Sequence, residues 1–247
     1  MSPELVYVLS NDSSSPFYKS YASLFKAYLS DSIENQVIED LDIIGHLLFQ
    51  MMMHIDRIED DQAKGMDTVI ALQTEAAKRL SYYFPINHSF WMQYDRIAKE
   101  FAKRKRLDRF CHQRSSWVNY RSLALSRSIY AELGLTSLLE LGLLEHQRFD
   151  TLIKSHRQFV IAFQLYDDCA DFYEDQDKEQ FNWAIHKASA KGISLDQFYR
   201  STLFSTLIDT IVDHLDRASE VIEELPKSKY SMLLAKIRDS VHSLYQT

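Results

Sequence analysis

Ile161-Ala-Phe-Gln-Leu-Tyr-Asp-Asp-Cys-Ala-Asp171-Phe-Tyr-Glu-Asp175 runs from an apolar helical stretch straight into a dense acidic cluster. At 3.6 residues per turn Asp167, Asp171 and Asp175 share one helix face. Like charges at this spacing destabilise an isolated helix by ~0.2–0.5 kcal/mol per pair. A second stretch repeats the pattern: Ile43, Ile44, Leu47, Leu48, Met51, Met52 and Ile55 lead into Asp56-Arg57-Ile58-Glu59-Asp60-Asp61, with Asp56 and Asp60 on one face. Such clusters need a counter-charge, and a hard divalent cation is the natural one.

Working outward, the chain reads as one helix after another. The periodicity predicts helices over 17–30, 34–61, 64–83, 89–107, 110–132, 136–146, 149–176, 178–190, 195–224 and 228–245. Asn11 to Pro16 reads as a Ser-rich loop, with Pro16 opening the first helix. Gly65, Pro85, Gly134, Gly192 and Pro226 punctuate, and Ser89 and Ser194 have the chemistry of N-caps. The 247 residues hold only 5 Gly and 4 Pro, too few for the turns of an all-β or α/β fold. With 46% hydrophobic and 13% aromatic residues a sizeable core forms. No repeat or linker divides it. The expected architecture is a single all-α domain over 1–247, a bundle of about ten helices around a central cavity. The two helices that end in acid are apolar all round, which places both centrally. Side by side and pointing the same way, they bring both clusters to one mouth of that cavity.

Composition narrows the function. A net charge of -7 argues against a nucleic-acid partner. Cys111 and Cys169 have no metal-ligand spacing and fit a reducing cytoplasm. The apolar run Leu5–Leu9 lacks a basic start, so it does not read as a signal peptide, and no stretch is long enough to span a membrane. A di-iron helical bundle needs Glu-x-x-His pairs, and none of the 9 histidines has Glu three residues before it.

What remains is carboxylate chemistry on a phosphorylated substrate. Mg²⁺ takes one or two carboxylates and completes its shell with waters or phosphates. Two facing clusters would hold Mg²⁺ around a diphosphate and neutralise it as it leaves. The organic cation left behind needs an apolar, aromatic pocket, where ring faces contribute ~2 kcal/mol or more. Phe49, Phe159, Phe163 and Tyr166 stand close to the clusters in sequence, and Met51, Met52 and Met53 add adaptable surface. The plain alternative for the phenylalanines and methionines is core, and for His46 and His54 a satisfied or exposed histidine rather than a group facing the site.

These motifs resemble a known superfamily. Asp56-Arg-Ile-Glu-Asp-Asp61 is similar to the first aspartate motif of squalene and phytoene synthases, D-x-x-E-D-D. Ile161 to Asp171 is similar to the second motif of trans-prenyl diphosphate synthases, A-F-Q-x-x-D-D-x-x-D. Asp171-Phe-Tyr-Glu-Asp-Gln176, followed by Trp183, is similar to the squalene synthase motif D-Y-x-E-D-Q with a trailing F-W. The resemblance implies the all-helical isoprenoid synthase (class I terpenoid synthase) fold, a prenyl diphosphate substrate and Mg²⁺, about three ions with the diphosphate bound. It implies Asp56 and Asp60 as metal ligands, assisted by Glu59 or Asp61, and Asp167, Asp171 and Asp175 opposite them, with the role of Asp168 open.

The chain also departs from these families. It has neither the G-K-x-R nor the R-R-G segment with which chain-elongating synthases bind their diphosphates, since Gln62-Ala-Lys-Gly65 follows the first motif. The N-x-x-x-S-x-x-x-E motif of microbial terpene cyclases is absent too, and the chain is short for a squalene synthase. Among Arg114, Arg121 and Arg127, Arg121 is the preferred diphosphate contact, because arginine binds phosphate bidentately; a surface arginine is the alternative. Lys103-Arg-Lys-Arg106 with Arg109 is either a solvated helix end, a group closing over the diphosphate, or a contact to an anionic membrane carrying a lipid substrate. The expected reaction is ionisation of a prenyl diphosphate, the cation being cyclised or quenched. The alternatives are prenyl transfer to a second prenyl diphosphate or another acceptor, a nucleotide-hydrolysing helical enzyme, and an inactive helical binding subunit. Related folds are often dimers, which leaves a homodimer and a monomer both open.

Overall fold

The computed structural model describes residues 20–30, 34–61, 65–176 and 180–243, apart from the side chains of Asp60, Asp61 and Leu195. The Asn11–Pro16 loop and the start of the first expected helix lie outside these residues. All regular structure among the described residues is helical. In chain order the α-helices are α1 (Tyr21–Leu24), α2 (Asn35–Asp61), α3 (Met66–Tyr83), α4 (Phe90–Ala102), α5 (Arg104–Gln113), α6 (Trp117–Arg127), α7 (Glu132–Glu140), α8 (His146–Ala170), α9 (Trp183–Ala190), α10 (Leu195–Phe198), α11 (Thr202–Val221) and α12 (Lys229–Ser243). Short 3₁₀ turns, Lys26–Tyr28 and Ile129–Ala131, follow α1 and α6.

The axis of the domain is α8. Leu152, Phe159, Val160, Ile161, Ala162 and Leu165 are buried around its circumference. It lies along α11 and also touches α6, α7 and α9. Two polar residues on this helix, Ser155 and Arg157, are paired. Ser155 Oγ donates to the Ala218 carbonyl at 2.6 Å, and Arg157 holds Glu132 through two bonds of 2.6 and 3.0 Å.

α2 is placed differently from expectation. It pairs with α3 on one side, while α7 and the Ile129–Ala131 turn cover its other side. α7 also packs on α8, whereas α2 and α8 do not form a packed pair. α2 is not central: Met51 and Met52 are buried, but Ile43 and Met53 are exposed. Nor does the bundle enclose a large hollow where α2 faces α7. The space between Phe49, Met52, Tyr130 and Gly134 is ≈ 30 Å³, about one water molecule and too small for a prenyl chain.

Several expected helices are divided. The 89–107 helix kinks at Lys103, whose N–H bonds to both Lys99 and Glu100 carbonyls. The 110–132 segment breaks at Ser116, whose hydroxyl caps α6 by accepting the Asn119 N–H at 3.2 Å, and the 195–224 segment breaks at Ser201, which caps α11 in the same way. Ser194 caps α10 in a reciprocal capping box with Gln197, as expected. Ser89 caps nothing: its hydroxyl donates to Glu140 at 2.6 Å. Gly134 does not punctuate. It lies inside α7, where an added Cβ would meet the Tyr21 ring at 2.7 Å. The expected 136–146 helix is therefore shifted to Glu132–Glu140, and the chain turns at Gly142, whose φ is +69°. The expected 149–176 helix ends at Ala170, because the Tyr199 hydroxyl takes the Cys169 carbonyl at 3.0 Å and residues 171–176 form turns.

Candidate active site at the two acidic clusters

Both clusters sit at helix C-termini, where the macrodipole is negative and carboxylates are disfavoured by ~0.3–1 kcal/mol each. Neither α2 nor α8 carries a basic residue in its last turn. The relief must come from elsewhere in the fold.

The second cluster divides into structural and open carboxylates. Asp168, 2% exposed, is structural. Its Oδ2 accepts the Trp183 N–H at 2.7 Å and its Oδ1 accepts from Gln164 Nε2 at 3.1 Å. Arg127 Nη1 lies 3.9 Å away. Desolvation pushes the Asp168 carboxyl up to about 6, against the pull of Arg127 and these donors. Asp167, one residue earlier, faces the other way. Desolvation first, and then the charges of Asp171, Asp168 and Asp175, push its carboxyl up to about 8. Solvent nevertheless reaches this side chain. For a side chain this exposed, the like charges beside it are the cause that the geometry supports. Asp171 and Asp175 are half-buried beside it. Asp171 closes α8 through its N–H to the Asp167 carbonyl at 2.8 Å. Asn182 organises the far wall: its Nδ2 donates to the Asp168 carbonyl at 2.8 Å and to Asp175 Oδ2 at 3.0 Å, while its Oδ1 caps α9.

Tyr166 is buried at the same helix end, and its hydroxyl has no hydrogen-bond partner among the described residues. Burial and then Asp167 push it up to about 12, so it stays protonated and remains a donor. Phe163 is half-buried one turn back and Phe159 buried two turns back, with ring centroids 5.9 Å apart. Phe49 lines the ≈ 30 Å³ space beside α2 and does not join them there.

The first cluster is also engaged. Glu59 Oε1 lies 2.6 Å from Arg104 Nη2 and 3.3 Å from Lys105 Nζ. The basic run 103–106 is therefore not simply a solvated helix end. Asp56 is half-buried at the last turns of α2. The side chains of Asp60 and Asp61 lie outside the described residues.

Helix α5 joins the two clusters. Its first turn carries Arg104 and Lys105, against Glu59. One turn later Asp108 Oδ1 accepts from Arg127 Nη2 at 2.8 Å and from the Phe181 N–H at 3.1 Å. Arg127 then reaches the Phe181 carbonyl at 3.1 Å and Asp168. Three ion-pair links and one helical turn of ~6 Å thus run from Glu59 to Asp168 by way of α5.

Arg121 lies elsewhere. It is exposed on α6, where its charge is felt by His214 of α11. The guanidinium beside the second cluster is Arg127. Sequence reasoning missed Asp108 and Asn182. Asn182 had a readable signal, an Asn directly before an apolar helix start. Asp108 had none, because its partners are far away in the chain.

The donor set suits a hard cation, since it is all carboxylate oxygen, and desolvation together with the charges of Asp171, Asp168 and Asp175 raises Asp167 in the absence of a counter-charge. Among the described residues no three of His, Cys, Asp and Glu form a ready-made metal cage. Mg²⁺ needs no such cage, because it binds through one or two carboxylates and substrate phosphates. No described helix is long and apolar enough to cross a membrane. Comparison with protein-family models, curated proteins and solved structures gives no match for this chain.

Proposed function

We propose that the protein is a Mg²⁺-dependent class I terpene synthase that ionises a prenyl diphosphate and cyclises or quenches the resulting cation. The observation that carries this reading is the run of ion pairs through α5 that links Glu59 of the first cluster with Asp168 of the second (Glu59–Arg104 and Asp108–Arg127–Asp168). The resemblance of both motifs to isoprenoid synthases supports it further. When bound, Mg²⁺ supplies charge neutralisation of the departing diphosphate. Asp167 and Asp171 would hold it on the α8 side and Asp56 on the α2 side. Arg127 and Asn182 keep Asp168 and Asp175 in place. The Tyr166 hydroxyl is a donor within reach of the same acidic region, and the rings of Phe159, Phe163 and Tyr166 give a developing cation an aromatic wall. Substrate binding has to widen the narrow space beside Phe49 and Met52.

Prenyl transfer to an acceptor uses the same groups, and one experiment separates the two. The protein is incubated with Mg²⁺ and ten-, fifteen- or twenty-carbon prenyl diphosphate, with and without isopentenyl diphosphate. Hydrocarbon or alcohol from one substrate alone is the expected result. Product only with the acceptor assigns a transferase. Absence of diphosphate release under every condition overturns the reading.

A further inference from the structure

Arg104 is the least expected residue of the basic run. It is nine-tenths buried, and its guanidinium carbon lies 4.0 Å above the Phe101 ring. Its Nη2 approaches Glu59 Oε1 to 2.6 Å, but the N–H does not point along that contact and makes no hydrogen bond. A buried guanidinium is thus neutralised in charge while part of its donor fork goes unused. Lys105 Nζ lies 3.3 Å from the same Glu59 oxygen, and its side chain is 54% exposed, so the pair opens to solvent on that side. Both cations stand in the first turn of α5, the positive end of the helix dipole, where cations are disfavoured and anions favoured. Lys103 is taken by Glu100. A single carboxylate oxygen therefore serves two cations, and a phosphoryl group with three oxygens would serve them better, filling the arginine fork bidentately.

We propose that Arg104 and Lys105 form an anion site for a phosphoryl group of a diphosphate, and that Glu59 occupies this site in the ligand-free protein as an internal stand-in. Diphosphate displaces Glu59, which then faces the acidic end of α2 one turn from Asp56. Anion and cation binding are thereby coupled, each favouring the other. The site stands on this geometry; only the identity of the full substrate rests on the terpene synthase reading. It also supplies the basic contact that the missing G-K-x-R and R-R-G segments leave unfilled.

The test is calorimetric binding of inorganic diphosphate to the full chain in the presence of a chelator, so that no divalent cation takes part. Glu59→Gln removes the competing charge and should tighten binding by about tenfold. Lys105→Gln should weaken it by about tenfold in both the wild-type and Glu59→Gln backgrounds. Lys105 is half-exposed, so this variant stays informative if loss of the Glu59 charge unsettles the buried Arg104, and melting curves identify that case. Unchanged affinity in Lys105→Gln, or binding by Glu59→Gln no tighter than wild type in a protein that melts normally, overturns the site. The predicted binding pattern without turnover of any prenyl diphosphate keeps the site and removes the reaction. Turnover without the pattern does the reverse.

Discussion

Asp167 and Asp168 are adjacent in sequence and opposite in role. A step of one residue turns a helical side chain by about 100°, which carries Asp168 onto the Trp183 N–H and toward Arg127 and leaves Asp167 exposed among the other carboxylates. Removing Asp168 leaves the buried Trp183 N–H without its partner, while Arg127 keeps Asp108 and the Phe181 carbonyl. Asp168→Ala should cost about 1–3 kcal/mol in urea denaturation. Asp167→Asn removes a repelled charge and should leave the fold at least as stable as wild type while abolishing any Mg²⁺-dependent turnover. The acidic motif was legible in the sequence. The division of labour within it was not, because it depends on Trp183, fifteen residues on, and on Arg127, forty-one residues back.

At the scale of elements, the long apolar helices and the Ser194 capping box could be read from periodicity and cap chemistry. The breaks were harder to read. Ser116 and Ser201 are good cap residues, but apolar periodicity continues past both. Lys103 gives no local signal at all, and its kink is what brings Arg104 inward to Glu59. Gly134 was misread for a physical reason: glycine marks either a turn or a close approach, and here it is the Tyr21 ring that needs the space. Gly134→Ala tests this. Helix propensity alone predicts a gain of ~1 kcal/mol, whereas overpacking costs about 1–3 kcal/mol. A lower urea midpoint is expected, and a higher one would show that Tyr21 moves aside freely.

At the scale of the molecule, a buried histidine and an exposed but crowded carboxylate act in opposite directions on stability against pH. His156, its Nδ1 2.9 Å from the Tyr21 hydroxyl, is pushed down to about 4 by desolvation, with smaller opposing effects from Glu132 and Arg157. An unfolded histidine titrates near 6.5. Between these values the unfolded chain binds the proton, so this stability is complete above the upper value and is lost as pH falls toward the lower, about 3 kcal/mol in all. Asp167 has the opposite sign. Its folded value, about 8, lies above the unfolded 3.8, so the folded chain binds the proton and stability declines as pH rises through that window. The two slopes cancel between about pH 4 and 6.5, so melting temperature should be nearly level there and decline from about pH 6.5 to 8. Mg²⁺ should raise the alkaline side alone, because a metal replaces the proton among the carboxylates. His156→Gln should extend the decline down toward about pH 4, and Asp167→Asn should leave only a rise up to about pH 6.5.

The all-α fold was legible because hydrophobic period and glycine scarcity are properties of the whole chain. That the two clusters meet is a conjecture from sequence; the ion pairs that run from Glu59 through α5 to Asp168 are announced by no motif. The functional meaning of that meeting is tested most directly by diphosphate release from a prenyl diphosphate, measured against Mg²⁺ concentration in wild type, Asp56→Asn and Asp171→Asn. If one site spans both clusters, wild type releases diphosphate only with Mg²⁺, and each single variant falls by about a hundredfold or more while melting like wild type. Release at wild-type rates by either variant, or no release by wild type, contradicts the account.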